Sequence, residues 1–266
     1  KDNHITGYNY VGTVASLNMG LIQNCTNYAD VTATNFSAGG ICGLMVNGTG
    51  TVKNCKNTGN VKAMTYASGI CGGSQSGSSV TSYGYLIKNC SNSGDISTTN
   101  GLGSAGIAGS YSGAVKDCTN YGIVQHPVAA GGLAGVNDGT ISGGSMQNSM
   151  GSQQENYRYL GGIAGINNGS ITNAAPAAGV TIRGGTNIGG AAGYNTGTIR
   201  LTEAAGRVEG ITAVGGVAGY NVGTIVGNGV GSKAAVQVSG TSQVGGIAGV
   251  NGTTGRISTR SIDEKI

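Results

Sequence analysis

Val244-Gly245-Gly246-Ile247-Ala248-Gly249-Val250-Asn251 decides the fold, because the chain repeats it. Close copies run from Val214 to Asn221, Ile188 to Asn195, Leu160 to Asn167 and Ala130 to Asn137. Looser copies continue toward the N-terminus at Ser104 to Tyr111, around Gly69-Ile70-Cys71-Gly72, at Ala38 to Met45 and at Val11 to Asn18, which makes nine. The residue before the aliphatic position is Thr13, Gly40, Gly69, Gly106, Gly132, Gly162, Gly190, Gly216 and Gly246, at intervals of 26 to 37 residues. A period of this size marks a repeat architecture and is close to the length of one three-sided coil.

Two further signatures share the period. Gly139-Thr140-Ile141, Gly169-Ser170-Ile171, Gly197-Thr198-Ile199 and Gly223-Thr224-Ile225 each follow a copy of the first, with looser forms at Gly50-Thr51-Val52, Gly113-Ala114-Val115 and Gly255-Arg256-Ile257. In the N-terminal half, Asn24-Cys25-Thr26-Asn27, Asn54-Cys55-Lys56-Asn57, Asn89-Cys90-Ser91-Asn92 and Asp117-Cys118-Thr119-Asn120 lead to Val31, Val61, Ile96 and Val124. Each unit therefore holds up to three short aliphatic segments between Gly, Asn, Ser and Thr, the pattern of strands and turns. Helix is disfavoured, since interior Gly costs ~1 kcal/mol relative to Ala.

Strands recurring at a fixed period favour coil-on-coil stacking, with equivalent residues ~4.8 Å apart and a rod on the order of 43 Å long. Ile41, Ile70, Ile107, Leu133, Ile163, Val217 and Ile247, with Val14 and Ala191, form an aliphatic column. Ala15, Cys42, Cys71, Ala108, Ala134, Ala164, Ala192, Ala218 and Ala248 form a small-residue column beside it. Neighbouring strand positions face opposite ways, so only one column is expected inside, the aliphatic one. Asn18, Asn137, Asn167, Asn195, Asn221 and Asn251 share a corner, where stacked amides bond from coil to coil and Asn tolerates left-handed backbone. Met45, Ser74 and Tyr111 replace that Asn in the N-terminal half.

Composition agrees with a folded domain that is neither collagen nor disordered. Of 266 residues 54 are Gly and only 2 Pro, with 38% hydrophobic and 9% charged. Collagen needs Gly at every third position and abundant Pro, and disorder needs low hydrophobicity or high charge. A net charge of +4 with no run of Lys or Arg argues against a nucleic-acid partner. No apolar stretch approaches the ~20 residues that span a bilayer, and Lys1 to Tyr10 holds no signal-peptide core. The expectation is one solenoid domain over residues 1–266, monomeric, belonging to a longer chain.

The Gly-Gly-Ile-Ala-Gly and Gly-Thr-Ile signatures, from about Val11 to Ile257, resemble the GLUG-motif repeats of bacterial surface proteins. Such repeats also occur in the non-catalytic part of zinc-metalloprotease-type immunoglobulin A proteases. The resemblance implies an all-β fold, a right-handed parallel β-helix of about nine coils. It also implies an extracellular setting, at the bacterial cell surface or secreted, without defining a ligand. Thr13, standing where the second Gly belongs, departs from the pattern.

Catalytic chemistry is sparse. Asp30 and Asp95 hold one repeat position two coils apart, with Asn60 between them, and read as polar turn residues rather than as the paired carboxylates of a sugar-cleaving site. His4 and His126 are the only histidines, and no His-Glu-x-x-His zinc spacing occurs. No catalytic residue, cofactor or metal is expected. Cys25, Cys55, Cys90 and Cys118 hold one repeat position and Cys42 with Cys71 another; in-register side chains lie side by side, so buried free thiols are expected. Two insertions, 74–85 and 145–159, carry Tyr83, Tyr85, Tyr157 and Tyr159, candidate binding residues if the loops recognise a host glycan or protein. The leading expectation is a stalk, spacer or adhesive module working beside other domains of its polypeptide. A glycan- or protein-binding adhesin is the second reading, and a polysaccharide-active β-helix enzyme the third.

Overall fold

The computed structural model describes residues 3–75, 84–201, 206–227 and 236–259. They form a parallel β-solenoid in which every strand pairs in parallel with its equivalent one coil away. The first coil shows the plan: His4–Gly7, Val11–Gly12, Ala15–Asn18, Leu21–Gln23 and Thr26–Asn27 begin five sheets, here A to E in chain order. Sheets B, C and D each run through nine strands, one for each copy of the repeat. Nine strands are separated by eight steps, so the ladder is ~38 Å long.

A coil has five strand segments in the N-terminal half, not three. The extra corners come from residue pairs too short to show a periodicity, such as Val11–Gly12 and Thr26–Asn27. Sheet A ends at Val124–Gln125 and sheet E at Ala175–Pro176. A separate four-stranded sheet F, starting at Met150–Gly151, takes over the face that A leaves.

Both predicted columns are buried, which corrects the expectation that only one could be. Ile41, Ile70, Ile107, Leu133 and Ile163 are fully covered, and so are Cys42, Cys71, Ala108, Ala134 and Ala164, all in one core cluster. The cause is a bend between sheets B and C. The amides of Ile41 and Cys42 both donate to the carbonyl of Ile70 (3.1 and 2.9 Å), and those of Ala191 and Ala192 to that of Val217 (2.9 and 3.0 Å). Two residues facing one carbonyl break the alternation locally, as at a bulge, and send two successive side chains inward. Val217 and Ala218 follow the same rule, both donating to the Ile247 carbonyl, whereas at the ends of the stack Ala248 is only half-buried and Val14 is 47% exposed.

Sheet B is covered on both faces. Ala38, Ala67, Leu160, Ile188 and Val214 belong to a second core cluster with Val31, Val61 and Ile96 of sheet A and Ile182 of sheet F. The other face of B meets sheet C almost backbone to backbone, where Gly43 lies against Tyr10 and Val11, and Gly193 against Tyr159 and Leu160. A Cβ at either glycine would enter the neighbouring main chain, which is why the repeat keeps Gly there. Sheet D closes the first cluster with Val52, Ile87, Val115, Ile141, Ile171 and Ile199, the inward residues of the Gly-Thr-Ile signature.

Candidate functional site

The interior is held by amides as well as aliphatics. Asn137 Nδ2 donates to Asn167 Oδ1, and the same 2.7 Å bond links Asn167 to Asn195, Asn195 to Asn221 and Asn221 to Asn251. This is the expected corner ladder. Asn18, Met45 and Ser74 are aligned by register at the same corner, as are Tyr111 and Asn137. Left-handed backbone, however, belongs elsewhere: Asn24, Asn54, Asn89, Asp117 and Asn173, with φ between 51 and 58°, turn the chain from sheet D into sheet E.

A second amide ladder lies inside the Asn-Cys-x-Asn signatures. Asn27, Asn57, Asn92 and Asn120 are linked in order at 2.7, 2.7 and 2.8 Å, and each also donates to a carbonyl two residues on. Gly40, Gly69 and Gly106 leave room for the side chains of Asn57, Asn92 and Asn120. The repeated Asn was visible in the sequence, but its inward direction was not.

All six cysteines are free, and all but Cys25 are buried. Their neighbours are one another: Cys25 and Cys55 amides approach the Sγ of Cys55 and Cys90 at 3.4 and 3.5 Å. The hydrogen bond with Cys118 holds the Cys90 thiol up at about 12, and that with Cys71 raises Cys42. Burial raises Cys25. Thiols held protonated in this way are poor nucleophiles and poor metal ligands. Among the described residues no three His, Cys, Asp or Glu gather as a metal site would require. Asp30 and Asp95 bond to backbone one coil on: Asp30 Oδ1 accepts from the Asn60 amide at 2.7 Å, and Asp95 Oδ1 from Ile123 at 3.1 Å.

The four tyrosines of the insertions separate. Tyr83 lies outside the described residues. Tyr85 is a core residue, 1% exposed, with its hydroxyl accepting from the Gly48 amide at 2.8 Å, so it is not a surface binding residue. Tyr159 stands within the sheet B strand Arg158–Gly161, its ring 5.9 Å from that of Tyr194, which stacks in turn on Tyr220 at 5.5 Å. Tyr157 lines a cavity. The insertion itself is shorter than 145–159, since Ser145–Met146 extends sheet E and Met150–Gly151 opens sheet F.

That cavity, about 300 Å³, lies where sheet A stops and sheet F starts. No hydrogen-bonded pairing joins Val124–Gln125 to Met150–Gly151, and the opened step is lined by Ile123, Gln125, Ser149, Met150, Tyr157 and Arg183. Arg183 is held by Glu209, with Nε and Nη2 both 2.6 Å from Oε2. One ring, one amide, the hydroxyls of Ser149 and Thr181 and a paired guanidinium make a small polar recess without a nucleophile beside a base. No described helix is long and apolar enough to cross a membrane. Family models, curated proteins and solved structures offer no match to this chain.

Proposed function

We propose that this chain is a non-catalytic extracellular repeat domain, a stalk, spacer or adhesive module of a bacterial cell-surface or secreted protein with GLUG-type repeats, working beside other domains of the same polypeptide. The observation that carries this reading is the continuity of the packed interior. Sheets B, C and D run unbroken through nine strands, and the inward positions are filled by aliphatics and self-satisfied amides. A stack of this kind gains length by adding coils without redesign of any one of them, which is what a spacer needs.

Excision of one coil, residues 190–215, joins Gly189 to Gly216 in register and tests the reading. The shortened chain folds cooperatively and its scattering length falls by ~4.8 Å. Release of reducing ends from a polysaccharide panel by the intact chain would contradict it.

The recess at the A-to-F break favours a second reading, a glycan- or protein-binding adhesin. It combines the Tyr157 ring with the polar groups of Gln125, Ser149 and Arg183. Specific glycan-array binding that Tyr157→Ala abolishes would support it, and binding unchanged by that substitution would remove the recess from consideration.

A further inference from the structure

Lysines far apart in sequence become neighbours when the coils stack. Lys53, Lys88 and Lys116 are register partners on successive strands of sheet D. The same row continues through Ser142 and Thr172 to Arg200, three coils above Lys116. By the stacking distance, Lys53 to Arg200 spans ~24 Å along a straight line. No linear run of basic residues announces this patch, because its members are 28 and 35 residues or more apart.

Sheet D presents two outward positions in each of nine strands, eighteen in all, flanking its inward aliphatic column. Those eighteen include five cations, the four above and Arg256, and no carboxylate. Eight more are Ser or Thr, and none is aromatic. Like charges directly opposite across a sheet oppose pairing, and here they are left without internal compensation. Both ion pairs among the described residues use Glu209 on sheet F. Asp117, next to Lys116 in sequence, belongs to the corner column, and its Oδ1 lies beside Gly143.

We propose that the outer face of sheet D binds an extended anionic polysaccharide, one carrying sulfate or carboxylate groups, laid along the solenoid axis. The lysine row supplies point charges on flexible stems, which tolerate variable anion spacing. The hydroxyl residues between and beside the cations supply hydrogen bonds to sugar hydroxyls. A nucleic acid is the weaker match, since a single-strand site pairs its charges with aromatic stacking platforms and this face has none. The site is independent of the spacer reading and of the Tyr157 recess.

Heparin titrated into the full chain at 50 mM salt provides the test, with hyaluronan separating carboxylate from sulfate recognition and dextran as the neutral chain. Binding of heparin, loss of about tenfold or more in affinity by 200 mM salt, and no binding of dextran are expected. The variant K53Q/K88Q/K116Q loses about tenfold or more, K53R/K88R/K116R retains binding, and K62Q on sheet A changes nothing. Matching thermal melts for these variants keep loss of binding separate from loss of fold. No heparin binding by the wild type, equal binding by the Gln variant, or tighter binding of single-stranded DNA than of heparin overturns the assignment.

Discussion

In the first four coils the hydrogen-bonded amide ladder is Asn27, Asn57, Asn92 and Asn120 of sheet E, whereas from the fifth coil onward it is Asn137, Asn167, Asn195 and Asn221, ending at the exposed Asn251, at the end of sheet C. The exchange is reciprocal. Register partners continue the first ladder as Met146 and Pro176, which fill the space beside Gly132 and Gly162. The second is preceded by Tyr111, whose ring packs on Tyr85 at 6.3 Å and whose hydroxyl reaches Met45 Sδ at 3.2 Å. In coils two, four, five and six, where one corner holds an amide the other holds apolar bulk, whereas the first coil has buried amides, Asn18 and Asn27, at both corners and the third has Ser74 opposite Asn92.

The two halves differ in backbone as well. Ala129, Tyr159, Asn187, Ala213 and Gln243 are left-handed, with φ between 53 and 60°, each just before an inward residue of sheet B. Their N-terminal equivalents, including Ser37 and Tyr66, are not among the positive-φ residues. Sheet A gives way to sheet F at the same level. The lesson is that the aliphatic columns and the strand ladders set the period, while the means of filling a corner is exchangeable between coils.

Three substitution sets probe that comparison, in falling order of effect. Asn167→Ala and Asn92→Ala each leave a buried amide donor and an acceptor unpaired, and each should lower stability in denaturant by roughly 2–4 kcal/mol. Because the ladders do not touch, the double variant should be additive within ~0.5 kcal/mol. Asn251, at the exposed end of its ladder, should cost less than about 1 kcal/mol when replaced by Ala. A large cost at only one ladder would mean that the halves are not equivalent solutions.

The backbone difference makes a prediction of opposite sign in the two halves. Ala213→Gly removes a Cβ from left-handed backbone and should leave stability unchanged or raise it by up to ~1 kcal/mol. Ser37→Gly loses the hydroxyl bond to the Gly43 carbonyl (3.1 Å) and should lower stability by ~1–2 kcal/mol. Calorimetric melts of the pair would show it, and equal signs would refute the distinction.

The smallest effect is protonation of His126, which is 3% exposed, next to the point where sheet A ends. Burial lowers its pKa, and a hydrogen bond to the Val128 carbonyl opposes that in part. A base with a lowered folded pKa is protonated first in the unfolded chain. Its contribution is therefore complete above pH ~6.5 and lost as the pH falls below that value. Between pH 7.5 and 5.5 the wild type should lose up to ~1 kcal/mol more than His126→Gln does, by the same linkage.

Much of this was legible in the repeat. Nine copies gave the nine strands of sheets B, C and D, and the substitutions Met45, Ser74 and Tyr111 fell at the corner that the alignment of copies assigned them. What stayed hidden concerns direction. Alternation forbids two adjacent inward side chains, and only the shared carbonyl at Ile70 or Val217 permits them. Asn27 and Asn24 look alike in the sequence, yet one points into the core and the other turns the chain. The cation row of sheet D needs a register before it exists. Tyr85 and Tyr157 both sat in insertions, and burial alone distinguishes the core residue from the one at the recess.

Interspin distances test the stack itself most directly. Labels on noncanonical residues at Thr51, Thr140, Thr198 and Thr224, all in one outward row of sheet D, lie in coils two, five, seven and eight. Measured from Thr51, the separations should grow in proportion to coil number, to ~14, ~24 and ~29 Å. Distances that fail to rise with coil number, or that shorten between Thr140 and Thr224, would contradict parallel in-register stacking.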